Sequence, residues 1–127
     1  MMRAIAEERC AARGKQPELL LAWDALVAMG NQVGALAGLA EEPHQGELAE
    51  FGEALHDICH DHGQFCRQGL DDIRVMLSTG LTALHTIEAR GQDVTAPALA
   101  LWREYFSARL GLMQIARTLF KHGAPTA

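Results

Sequence analysis

The residues best suited to chemistry lie in one stretch, His56-Asp57-Ile58-Cys59-His60-Asp61-His62-Gly63-Gln64-Phe65-Cys66, which holds three of the six histidines and two of the three cysteines. Thiolate and imidazole are the natural ligands of zinc or copper. Drawn on a helix at about 100° per residue, the stretch divides in two. Glu53, His56 and His60 share a face about 150° from the apolar side. Cys59, His62 and Cys66 lie on or beside the apolar stripe. Glu53 and His56 form a Glu-x-x-His, half of a di-iron carboxylate motif, but such motifs come in pairs that face a bundle interior. Neither Glu88 nor Glu104 is followed by histidine three residues on. A straight helix offers one ion at most a pair from Cys59, His62 and Cys66. A further ligand has to come from Cys10, His44, His85 or a second chain. The candidate ligands for zinc or copper are therefore Cys59, His62, Cys66, His56 and His60. The plainer reading is a solvated polar face, with buried cysteines acting as small hydrophobes and His62 making one hydrogen bond.

No complete catalytic set accompanies this cluster. The chain has no Gly-x-Ser-x-Gly, no phosphate-cradling glycine loop and no His-Glu-x-x-His. Cys59 beside a histidine resembles a nucleophile and its base, but neighbours on one helix supply neither an orienting group nor an oxyanion hole. The expectation is a protein that is not an enzyme.

The elements that must position these residues are helices. Apolar residues make up 49%, mostly Ala and Leu, and aromatics only 6%, a composition that favours helix over sheet. A chain of 127 residues is one domain with a modest core. Residues 1–14 read as flexible or a short helix, broken by Gly14-Lys15-Gln16-Pro17. A helix over 17–40 carries Leu19, Leu26 and Val33 at a seven-residue spacing, a coiled-coil-like seam. Beside it runs Gly30-x-x-x-Gly34-x-x-x-Gly38, which implies close approach of another helix or apolar surface. Glu41-Glu42-Pro43-His44-Gln45-Gly46 is a loop. From 47 to 90 one apolar stripe, through Phe51, Leu55, Ile58, Cys66, Leu77 and Leu84, keeps its phase across Gly63 and Gly69. This predicts one long helix of about 65 Å, with Gly63-Gly69 as the place for any break. Gly91 suits a helix C-cap, Asp93 or Thr95 an N-cap, and Pro97 a first turn. A last helix over 96–121 carries Leu99, Trp102, Phe106, Leu110 and Met113, and 122–127 is a tail. The fold class is all-α, an antiparallel helical bundle or elongated helical hairpin with one long central helix and coiled-coil-like packing.

Charge and cysteine usage narrow the partners. Net charge is −5, with no basic cluster, so nucleic acid is disfavoured. Acidic residues crowd 41–61 and basic ones the last helix (Arg103, Arg109, Arg117, Lys121), so the two regions either lie side by side or recruit different partners. Cys59 and Cys66 stand about 10 Å apart on a helix, beyond disulfide reach. The thiols read as reduced and the protein as cytoplasmic. Met1-Met2-Arg3-Ala4-Ile5-Ala6, followed by Glu7-Glu8, does not read as a signal peptide. The apolar run Leu19 to Met29, interrupted by Asp24, is too short to span a bilayer. Self-association into a dimer or higher oligomer is expected. Leu77, Leu84, Trp102, Phe106 and Met113 are the candidate partner-binding residues.

The segment from Phe65 to Phe120 resembles the phasins, which coat polyhydroxyalkanoate granules. The resemblance lies in a long amphipathic helix ending at Leu84-His85-Thr86-Ile87-Glu88-Ala89-Arg90, then a Gly-Gln-Asp turn. Ala98-Leu99-Ala100-Leu101-Trp102-Arg103-Glu104-Tyr105-Phe106 then opens a second long helix. The resemblance implies a non-enzymatic protein that associates through its apolar stripes with an apolar granule surface or a protein partner. The alternative is a metal-binding or metal-sensing bundle built on the His/Cys cluster.

Overall fold

A computed structural model describes residues 13–14, 17–40, 45–55 and 58–123. For Arg13, Gly14, Pro17, Cys59, His60 and residues 120–123 it describes the backbone alone. Four helices form among the described residues: α1 (Pro17–Leu36), α2 (Gln45–Ala54), α3 (His60–Ala89) and α4 (Thr95–Gly123). The fold is an all-α bundle. Its extended chain is a two-residue antiparallel pairing of β1 (Arg13–Gly14) with β2 (Ile58–Cys59), just ahead of α1 and α3.

The glycines reveal how the helices run. A β-carbon on Gly30 would overlap the ring of Tyr105, and one on Gly34 would lie 3.2 Å from Trp102 Nε1. One on Gly69 would meet Leu112, and one on Gly80 would meet Leu101. Numbers rise along α1 and α3 as they fall along α4, so α4 is antiparallel to both. The helices α1 and α3 therefore run parallel, and an ion pair (3.8 Å) joins Glu18 in the first turn of α1 to Arg67, about two turns into α3. The short α2 descends beside α1, its Phe51 edge-on to Trp23 with ring centroids 4.8 Å apart.

Burial follows the expected seam: Leu19, Leu26 and Val33 are fully inside, joined by Trp23, Leu70, Leu77, Leu81 and Ala116. Glu47 of α2 reaches Arg117 of α4 at 3.8 Å, a single ion pair between the acidic and basic regions among the described residues. By length and composition, Glu18–Leu36 is a candidate membrane span, longer than the run Leu19 to Met29 implied. In the bundle its inner side is core.

Three boundaries differ from the sequence reading. First, 47–90 is not one helix. It breaks after Ala54, and α3 begins at His60, passing Gly63 and Gly69 without interruption. The apolar phase continues because Leu55 and Ile58 remain buried through the break. Periodicity reports burial, and a buried side chain keeps it inside a helix or outside one. β-branched Ile58 also finds extended pairing opposite Gly14. Second, α1 stops at Leu36 rather than 40. Gly38 adopts φ 80°, and the Leu39 N–H bonds to the Gly34 carbonyl while the Gly38 N–H bonds to that of Ala35, a Schellman cap. Gly38 therefore ends the helix, whereas Gly30 and Gly34 serve close packing. Third, Arg13–Gly14 is paired strand; residues 1–12 and 124–127 lie outside the described residues.

The α3–α4 turn matches its sequence signals. Gly91, at φ 74°, closes α3 with the same pair of bonds, Gln92 N–H to Ile87 and Gly91 N–H to Glu88. Asp93 Oδ1 accepts from the Thr95 hydroxyl (2.8 Å) and N–H (3.1 Å). Those bonds, the hydroxyl's first, hold the Asp93 carboxyl below its ordinary range.

Candidate functional site

The break after Ala54 takes Glu53 off the helix that carries His62 and Cys66. Glu53 sits on α2 and is exposed, while the backbones of Cys59 and His60 belong to β2 and the start of α3. His56, Cys10 and His44 lie outside the described residues. Only His62 and Cys66 keep their relation, four apart on α3. His62 is half-buried and Cys66 fully buried. Among the described residues no three His, Cys, Asp or Glu side chains gather as a metal group.

Burial governs the protonation of Cys66. Burial among apolar side chains pushes its thiol up to about 12, from 9.0, so near neutrality it stays protonated. The neutral thiol is the form that the fold favours. Its contribution to stability is complete below pH 9, where the unfolded thiol is also protonated, and is lost as pH rises from 9 towards 12. Between those values the wild type should lose about 1.4 kcal/mol per pH unit more than Cys66→Ala. Denaturant melts of both at pH 8 and pH 10.5 measure the difference. Equal pH slopes would show that Cys66 ionises as freely folded as unfolded.

Of the expected partner-binding residues, Leu77, Leu84 and Met113 are covered by the chain's own helices, each at most 3% exposed. As partner contacts they are corrected to core. Trp102 and Phe106 are only half-buried and stack on each other, centroids 4.9 Å apart and planes 17° from parallel.

That pair stands beside a cleft. α2, with 10 residues, is too short to cover the groove between α1 and α4, each of at least 20. Above its first residue, Gln45, the groove stays open as a cleft of about 290 Å³. Gly34 and Ala35 form its floor, Trp102 one wall, Leu39 and Ala40 the rim, and Asn31 and Gln45 the polar ends. Gly34 lets the Nε1–Cδ1 edge of the indole approach the α1 backbone. Among the described residues, none of the seven that line the cleft ionises. Its volume is at the lower limit for small-molecule sites.

Behind the cleft the aromatic stack continues inward to a residue the sequence reading counted as surface charge. Arg109 is 0% exposed. Its NH1 donates to Tyr105 Oη at 2.7 Å, and its guanidinium lies over the rings of Tyr105 (4.9 Å) and Phe106 (5.1 Å). Trp102, Phe106, Arg109 and Tyr105 thus form a ladder from the cleft wall to the core. The signal was present: Tyr105, Arg109, Leu112 and Ala116 are spaced four, three and four, all on the inner side of α4.

Comparison with known proteins finds no matching family model, curated protein or solved structure.

Proposed function

We propose that this chain is a non-enzymatic helical binding protein that docks an apolar group through the Trp102 cleft. The group comes from a protein partner or, as the phasin resemblance implies, an apolar granule surface. The observation that carries the reading is the cleft's composition: a half-buried indole beside Gly34, with no ionisable residue among the described residues that line it. Tryptophan in a partly desolvated pocket is the commonest binding hot spot, and burying apolar area contributes about 25 cal/mol per Å². Asn31 and Gln45 at the ends give orientation without charge.

Sedimentation with polyhydroxyalkanoate granules, and with apolar peptides as a second target, tests the proposal. Trp102→Ala and Leu39→Glu should each weaken binding about thirty-fold, the equivalent of a 2 kcal/mol hot spot. Leu39 is exposed, so its replacement leaves the bundle intact. Binding that is unaltered in both variants would remove the cleft from consideration.

A further inference from the structure

The outer face of α1 is unlike that of a helix meant for water. Leu21, Ala25, Ala28, Gln32 and Ala35 follow one another at spacings of four, three, four and three, and all are exposed, Leu21 by 68%. The solvent side of an amphipathic helix normally carries charge, yet α1 holds only Glu18 and Asp24 in its 20 residues. Alternation of four and three is the pattern by which two helices interdigitate. The inner seam of Leu19, Leu26 and Val33 is already filled by the chain itself, which leaves this second seam without a covering element among the described residues.

The two edges of the seam differ in charge. On the α2 side stand Asp24, at the border of the stripe, and exposed Glu53. On the α3 side stand Arg67 and Arg74, strung along Glu18 and Asp71: Arg67 to Glu18 at 3.8 Å, Arg67 to Asp71 at 3.5 Å, and Arg74 to Asp71 at only 4.0 Å. Consider two copies facing each other across this seam. A two-fold axis perpendicular to α1 sets like edges together, with Asp24 and Glu53 beside their counterparts. An axis parallel to α1 sets the acidic edge of one copy against the arginine edge of the other. We infer that the outer face of α1 is the seam of a parallel, two-fold dimer of this chain. Each seam residue then meets its own counterpart. Leu21 closes one end, and the alanines let the backbones approach. Gln32 pairs amide to amide, since a carboxamide both donates and accepts, and one polar pair in such a seam sets its register. Ala35 belongs to both the seam and the cleft floor, so dimerisation brings the two clefts beside the axis.

Sedimentation equilibrium over a concentration series tests this. The wild type should approach twice the 13.8 kDa chain mass. Ala28→Glu, on an exposed position away from the cleft, should remain monomeric with unchanged helical circular dichroism. Asp24→Arg and Arg74→Asp should each weaken the dimer about tenfold, and the double variant should recover most of that loss. A monomeric wild type at every concentration, a dimeric Ala28→Glu, or single and double charge variants that associate alike would each overturn the inference. So would capture of monomeric wild type by phosphatidylcholine vesicles that Ala28→Glu abolishes, because the face would then serve a bilayer. The cleft is judged separately. Trp102→Ala should dimerise normally, and granule binding by monomeric Ala28→Glu reports the cleft alone.

Discussion

Gly30→Val is expected to destabilise the bundle by about 3 kcal/mol, and Gly30→Ala by about 1–2 kcal/mol. Exchanging glycine for alanine inside a helix normally stabilises by about 1 kcal/mol, so the sign itself is informative. At Gly30 the added carbon would overlap Cε2, Cζ and Oη of Tyr105. A flexible side-chain tip could yield, but this ring cannot: Tyr105 is fully buried and its hydroxyl is held by Arg109. The helices must separate instead, and neighbouring contacts such as Trp102 over Gly34 loosen with them. Gly111 of α4 provides the contrast, because a β-carbon there meets nothing within 4 Å. Gly111→Ala should stabilise by about 0.5–1 kcal/mol. Thermal melts of the three variants decide the matter. At about 3–5 °C per kcal/mol, Gly30→Val and Gly111→Ala should move Tm in opposite directions by readily measured amounts. Parallel shifts would mean that α1 and α4 do not approach each other as closely as Gly30 and Tyr105 require.

What the sequence made legible, and what it hid, divides along one physical line. Interactions local to an element could be read. The Leu19, Leu26 and Val33 seam, the Gly91 cap and the close-packing role of Gly30 and Gly34 all depend on spacing within one or two turns. Features set by how elements meet could not. Leu55 and Ile58 are buried whether the chain turns there or continues as helix, so their phase could not reveal the break. Leu77, Leu84 and Met113 carry the same apolar signal whether the covering surface is another helix of the chain or a partner. The cleft was hidden for a further reason. It exists because α2 stops short of the end of α1, and it is lined by residues of three helices and a cap that no spacing rule connects. Gly38 illustrates the boundary between the two cases. Its spacing from Gly34 matched a packing motif, yet its positive φ makes it a helix terminator.

Arg109 makes the sharpest demand on the core, and its partners predict an ordered set of stabilities. A guanidinium taken out of water loses several kcal/mol of hydration, and an arginine keeps its charge when buried. Part of what offsets this on α4 is a short hydrogen bond to Tyr105 Oη and two ring faces, the latter worth up to about 2 kcal/mol when desolvated. Tyr105→Phe retains the ring and removes the acceptor, so it should cost about 1–3 kcal/mol. Tyr105→Ala removes the ring as well, opens a cavity against Gly30 and should cost about 4–5 kcal/mol, the largest loss of any variant considered. Arg109→Met behaves differently. It fills similar space without a charge, and a buried ionic group replaced by a hydrophobe of like volume is often neutral or stabilising. In the Arg109→Met background, Tyr105→Phe should then cost little, because the hydroxyl has lost the cation it was holding. Denaturant melts of the two single variants and the double variant yield this coupling directly. A Tyr105→Phe loss of equal size with and without Arg109 would mean that the hydroxyl serves another group, and the ladder from Trp102 inward would then end at Phe106. If the coupling is found, Arg109→Met also tests the cleft from behind. It removes a cation from beneath Phe106 while leaving the cleft's own lining in place, so granule or peptide binding that survives this change but not Trp102→Ala assigns recognition to the indole alone.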